Sequence, residues 1–231
     1  MPEPLAQELT QELAQELARD LADDLDRILA FLGLAARLKR EMRHSWLADG
    51  RRESVAEHTW MMALMAMMLH RRLEHPVDLD HTLRLIVVHD IAETIVGDIP
   101  SFETSARKAA KAQAEAAAME EIRAPLPADI GDEIVALWRE FEDASSPEAR
   151  FARAIDNLEV QIQHNLADLA TWEPLERDLV YTKMDAPCAH DATLRAMVAA
   201  VRAQAEAKLE AAGEDVAALR DAATRTNGGR P

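Results

Sequence analysis

Between Val87 and Ile99 the chain reads VVHDIAETIVGDI, and His89, Asp90, Glu93 and Asp98 sit among valines and isoleucines suited to an interior. Carboxylates are almost never fully buried unless they are paired or hold a metal. Any fold that hides this run must therefore bring compensating charge to it. On a helix, Glu93 lies four residues after His89 and three after Asp90, so it shares their face, while Asp98 follows Gly97, a helix-stopping residue. One imidazole and three carboxylates then converge on one helix end, a donor set suited to a borderline divalent cation such as Mn, Co, Fe, Ni or Zn. One His and one Asp rarely hold such an ion alone. His58 opens an apolar segment, and Asp156 lies in the apolar stripe of Ala152, Ile155 and Ile162, where an unpaired carboxylate is costly. Two His and two Asp leave positions open for water and substrate, as a catalytic site requires and a structural one does not.

The frame around these residues reads as helical. Ala, Leu, Glu and Arg dominate, glycines number only 7 and prolines 10, and no convincing period-2 run is flanked by turn residues. Leu5, Leu9, Leu13, Leu17, Leu21 and Leu25 recur every four residues, which predicts an amphipathic N-terminal helix over 1–26 that packs on the domain or a partner subunit. A second helix is expected from Leu25 to about Arg40. The helical core is expected over 27–212. It includes a helix capped by the Ser54–Glu57 box, one from about Asp80 to Val96, an alanine-rich one over Ser101–Arg123, and one over Asp129–Glu142. Ser146 and Pro147 open another helix, and a last one spans Asp191–Ala212. Residues 213–231, ending TRTNGGRP, are expected to form a flexible tail.

A net charge of −16 argues against gripping a nucleic-acid polymer or an anionic membrane. One basic island, Arg37 to Arg52, precedes His58 and could serve a small phosphate. The single cysteine, Cys188, allows no internal disulfide, and no secretory signal is visible. The longest apolar run, near Trp60–Leu69, is too short to span a bilayer, so the expected location is the cytoplasm.

Each site residue has a plainer reading. His58 alone suits a hydrogen-bonded core histidine, Asp156 a partner of Arg153, and Glu93 a salt-bridge acid. A second His-Asp pair, His190–Asp191, lacks the apolar run and the following acids, and Asp191 reads as a helix cap. The Met61, Met62, Met65, Met67, Met68 cluster reads as core packing. Trp60, Trp138 and Trp172 suit core or interface, His70, His75, His81 and His164 surface or supporting positions, and Glu115 and Glu120 a solvated face.

In order, ESVAEHTW, LIVVHDIAETIVGDIPS and FARAIDNLEV resemble the HD-domain metal-dependent phosphohydrolases, and within them the 5′-deoxynucleotidase branch, YfbR-like and HD domain-containing protein 2-like. The resemblance runs from about Leu32 to Trp172. It implies an all-α HD-domain bundle, here with an N-terminal amphipathic extension, and metal ligands His58, His89, Asp90 and Asp156. It also implies Glu93 as general acid and base, Asp98 on the sugar hydroxyl, Arg43 on the phosphate side and Trp46 on the nucleoside side. Between Asp90 and Asp156 there is no histidine; two-metal HD proteins usually supply some there, so one divalent ion (Mn, Co, Fe, Ni, Zn or Mg) is expected. The implied activity is hydrolysis of deoxyribonucleoside 5′-monophosphates. The alternatives are another small phosphorylated metabolite, or nucleotide sensing without useful turnover. The family often forms homodimers, and a homodimer acting on a small nucleotide is the expectation carried forward.

Overall fold

The computed structural model describes residues 3–99 and 110–227. Helix α1, Glu3–Ala35, is one continuous 33-residue helix where the sequence suggested a division near Leu25, and it passes into a 3-10 turn at Ala36–Lys39. Its C-terminal end packs on the domain through Phe31, Leu34 and Ala35. Its stripe from Leu13 to Leu32 stays at least half exposed, so these leucines are not covered by the domain.

A two-stranded hairpin follows, β1 (Met42–Trp46) antiparallel to β2 (Arg52–Ser54), with Met42 opposite Ser54 and Trp46 opposite Arg52. No strand was expected here. MRHSW and RES are too short and too charged to show an alternation. The pairing rests on longer-range bonds: Arg52 donates from Nε to the Arg43 carbonyl (2.7 Å) and from Nη2 to that of Met42 (3.0 Å).

Helix α2, Val55–Leu69, starts at the expected Ser54–Glu57 capping box. It is apolar on all sides. Val55, His58, Met62, Met65 and Ala66 face inward, but Trp60, Leu64, Met67 and Met68 are exposed, so the methionines are only partly core. Helix α3, Leu79–Val88, ends at His89 rather than running to Val96. The chain turns through His89–Ala92, with Glu93 N–H bonded to the Asp90 carbonyl at 3.0 Å, and resumes as the short α4, Glu93–Val96. The His-Asp pair therefore sits at a break in the helix.

Helices α5 (Lys111–Arg123), α6 (Ala128–Asp143) and α7 (Pro147–Leu166) follow. The beginning of the alanine-rich helix expected from Ser101 lies outside the described residues. Ser146 caps α7 as anticipated, accepting from Ala149 N–H at 3.0 Å. Helix α7 is the central column, packed against α2, α3 and α6. Met62, Leu85, Ile86, Phe151, Ile155 and Leu158 form the main core between them.

Beyond it come α8 (Pro174–Thr182), α9 (Asp185–Cys188) and α10 (Ala192–Ala211). Asp191 caps α10, accepting from Thr193 and Leu194 N–H, so the second His-Asp pair does serve a helix terminus. Where a tail was expected after 213, the chain forms α11, Val216–Asn227, packed on α8 with Val216 and Ala223 buried. Its weak apolar signal gains meaning only from that neighbour. Apart from the hairpin, the described fold is all-α, and among the described residues no helix is long and apolar enough to cross a membrane.

Candidate metal centre

Three distant segments meet in the middle of the bundle. His58 comes from the first turns of α2, His89 and Asp90 from the break after α3, and Asp156 from the middle of α7. One donor atom each from His58, His89 and Asp156 lies within 4.8 Å of the others. Asp90 joins them through Oδ2, 3.0 Å from His89 Nε2.

The hydrogen bonds show which ring nitrogens are free. His89 Nδ1 donates to the Ile86 carbonyl at 2.7 Å, and His58 Nδ1 lies 2.5 Å from Glu159 Oε2. With Nδ1–H so engaged, each Nε2 presents a lone pair, and both Nε2 atoms are buried without a hydrogen-bond partner. They face carboxylate oxygens: His58 Nε2 is 3.2 Å from Asp156 Oδ1, and His89 Nε2 is 3.0 Å from Asp90 Oδ2. Acceptor against acceptor is repulsive unless a cation lies between. The residues present therefore fit a divalent metal with nitrogen and oxygen donors. Burial and Arg43 push the His58 imidazole down, yet Glu159 and Asp156 outweigh them and carry it up to about 10, so the two carboxylates draw positive charge to Nε2, as a proton or as a metal ion. Asp90 is held well below the usual carboxylate range against its burial, chiefly by His89 and Arg43.

A cleft of about 300 Å³ opens beside these groups, walled by Arg43, Asp90, Glu93, Asp98, Lys111 and Asp156 among others. Arg43, from β1, reaches Asp90 Oδ2 from Nη1 at 3.3 Å, and burial does not prevent Asp90 and Glu159 from raising its pKa further. Glu93 opens α4 and is 3% exposed. Burial, with Asp90 and Asp98 nearby, pushes its carboxyl up to about 9. Asp98, half-buried, is placed by its own backbone N–H, which donates to Glu41 Oε1 at 2.9 Å. Gly97 between them has φ 73 and ψ 160.

Trp46 stands apart from the rest. It does not line the cleft; it lies at the end of β1, where its carbonyl accepts from Gln163 Nε2 at 2.6 Å. Neighbouring His44 and Ser45 line the cleft instead. The hairpin, with its register irregularity between Met42 and Trp46, was not legible in the sequence.

Several residues at the site went unnoticed in the sequence. Lys111 reaches Glu93 Oε1 (3.7 Å) and Glu115 Oε1 (3.2 Å). Glu115 is thus buried and paired, not on a solvated face, whereas Glu120 is exposed and takes a bond from Arg139 at 3.0 Å. Glu53 and Glu159 are buried behind His58. Glu159 was detectable by the argument applied to Asp156, an acid three residues further along the same apolar stripe. Lys111 carries no such signal.

Comparison with known proteins bears on the family and the fold. The family profile described as "HD domain" matches residues 35–193. The human "5′-deoxynucleotidase HDDC2" is 39% identical over 138 residues, covering 59% of this chain and 66% of that protein, just under two thirds of its length. The Schizosaccharomyces pombe "5′-deoxynucleotidase hdd1" is 37% identical over 142 residues, covering 59% of this chain and 70% of that one. Among solved structures, a "predicted metal-dependent phosphohydrolase" from Magnetospirillum magnetotacticum superposes with a TM-score of 0.69 at 29% identity, covering 80% of this chain and 97% of its own.

Proposed function

The chain belongs to the HD-domain family, and on that premise we propose that it is a metal-dependent phosphomonoesterase releasing phosphate from deoxyribonucleoside 5′-monophosphates. The observation that carries the reading is the pair of buried imidazole Nε2 atoms without a hydrogen-bond partner, facing carboxylate oxygens at 3.2 and 3.0 Å next to a buried arginine. His58, His89, Asp90 and Asp156 would hold one divalent ion, Mn, Co, Fe, Ni, Zn or Mg. Such an ion polarises a phosphoryl oxygen and lowers the pKa of bound water.

The chain's own groups do the rest. Arg43 offers a fixed positive charge to the phosphoryl oxygens, where charge develops in the transition state. Glu93, kept protonated by its surroundings to about pH 9, gives a proton to the departing 5′-oxygen. Asp98 accepts from a sugar hydroxyl. The apolar Val160 and Leu179 line the cleft and Trp46 does not, which favours the former pair as the nucleoside contact. The relatives named as 5′-deoxynucleotidases support this choice of substrate.

The reading extends to a cytoplasmic homodimer without a nucleic-acid or membrane partner. The uncovered leucines of α1 and the exposed Trp60, Leu64 and Met68 of α2 support the dimer. Light scattering should give twice the chain mass, and a Leu17→Glu, Leu21→Glu double variant should shift it toward the monomer; an unchanged monomeric mass for the wild type ends that part.

The activity is tested with a panel of deoxynucleoside, ribonucleoside and sugar monophosphates, with Mn²⁺ or Co²⁺ and with chelator. Phosphate release from deoxynucleotides that stops on chelation is expected. No release from any of them refutes the hydrolase. Faster release from sugar phosphates moves the substrate class, and tight nucleotide binding without release indicates a sensor.

A further inference from the structure

Two buried carboxylates stand behind the donors and take no part in the chemistry above. Glu159, on α7, is 0% exposed, and Glu53, on β2, is 2% exposed. Buried charges of this kind persist only when compensated. Each faces a different functional group: Glu159 Oε2 lies 2.5 Å from His58 Nδ1, and Glu53 Oε2 lies 3.6 Å from Arg43 Nε. The two acids also adjoin one another, because donor atoms of Glu53, His58 and Glu159 all lie within 4.8 Å. Arg43 in turn reaches Asp90 at 3.3 Å. A buried chain of side chains thus runs from His58 through Glu159, Glu53 and Arg43 to Asp90.

We propose that Glu159 is the positioning residue for His58, and that Glu53 ties that bracket to Arg43, so that metal end and phosphate end of the cleft are set by one buried carboxylate pair. The proposal rests on the metal reading of the centre. The physical reason lies in the imidazole. Which of its nitrogens can coordinate is decided by what the other donates to. Glu159 accepts a hydrogen bond from Nδ1–H, which leaves the Nε2 lone pair facing Asp156 and fixes the ring rotation. His89 achieves the same with the Ile86 carbonyl, a neutral acceptor that is part of the backbone. Of the two imidazoles, only His58 depends on a side chain that substitution can remove. Glu53 serves the second half through charge: its Oε2, 3.6 Å from Arg43 Nε and too far for a hydrogen bond, favours the guanidinium where Nη1 reaches Asp90.

The test is calorimetric titration of Mn²⁺ into metal-stripped wild type, Glu159→Ala, Glu159→Gln and Glu53→Gln, with melting curves for each. Loss of an orienting partner typically costs about 10–100-fold in metal affinity. Glu159→Ala should lose affinity in that range, and Glu159→Gln less, because its amide oxygen can still accept from Nδ1–H. Glu53→Gln should keep metal affinity within about threefold and raise KM more than it lowers kcat. A packing role alone would lower the melting temperature and leave metal affinity unchanged, and that outcome overturns the proposal. Nitrogen-15 spectra of the histidines in wild type give a second check that needs no variant to fold. Zinc-loaded protein should show His58 with its proton on Nδ1, and a proton on Nε2 refutes the assignment. If wild type binds no divalent ion, the metal reading itself falls and the positioning role falls with it; if wild type binds and Glu159→Ala binds equally, only the positioning role fails.

Discussion

Gly97 joins the proposed acid to the proposed sugar contact. Its backbone, φ 73 and ψ 160, lies in a region open essentially to glycine alone. Its N–H also closes α4, donating to the Glu93 carbonyl at 2.9 Å. In Gly97→Ala the new Cβ must either accept the strain, about 1–3 kcal/mol, or rotate the backbone away. For a chain of this length each kcal/mol moves Tm by roughly 2–4 °C, so a fall of about 2–12 °C is expected. Relief by rotation displaces Glu93 or Asp98, and a misplacement of about 1 Å at a reacting group can cost on the order of 100-fold in rate. Metal affinity should stay within about threefold, because the donors hang from α2, the end of α3 and α7. Melting curves, metal titration and phosphate release measure the three effects. Gly33→Ala is the control: Gly33 lies in α1, a methyl group there would meet no neighbouring atom within 4 Å, and the variant should gain about 0.5–1 kcal/mol of helix stability. Wild-type Tm together with wild-type turnover in Gly97→Ala would refute the reasoning.

Two further outcomes concern protons. Because Glu93 must be protonated to act as the acid, turnover should fall as pH rises through about 9. Lys111, 3.7 Å from that carboxyl, favours its ionised form, so Lys111→Met should move the alkaline limb to higher pH, and a limb that stays or moves down contradicts the assignment. Glu176 is buried, and burial pushes its carboxyl up to about 7. Since this folded value lies above the unfolded one, its contribution to stability is fully present below about pH 4.5 and is lost as pH rises to about 7. Glu176→Gln should therefore raise Tm relative to wild type more at pH 8 than at pH 5; an equal difference at both pH values argues against the shift.

What could be read without coordinates was whatever depends on near neighbours in the chain. Ser54 with Glu57, Ser146 with Pro147, and Asp191 act on backbone groups within three or four residues, so their roles are local. The cost of burying His58 and Asp156 is likewise written in the apolar residues beside them. The hairpin was hidden because its pairing is stabilised by Arg52 reaching across to Met42 and Arg43. The break at His89 was hidden because VVHDIAETIV has an unbroken helical pattern, and nothing in that pattern says where the backbone must turn.

By itself, then, the order of residues determined a helical chain carrying charges that demand a cation, since helix caps and the penalty for a lone buried carboxylate are properties of a few adjacent residues. Only the tertiary structure decided which charges meet: it set Glu159 behind His58, Glu53 behind Arg43 and Lys111 over Glu93, and it left Trp46 outside the cleft. Those are distances between segments far apart in the chain, and packing, not local propensity, sets them.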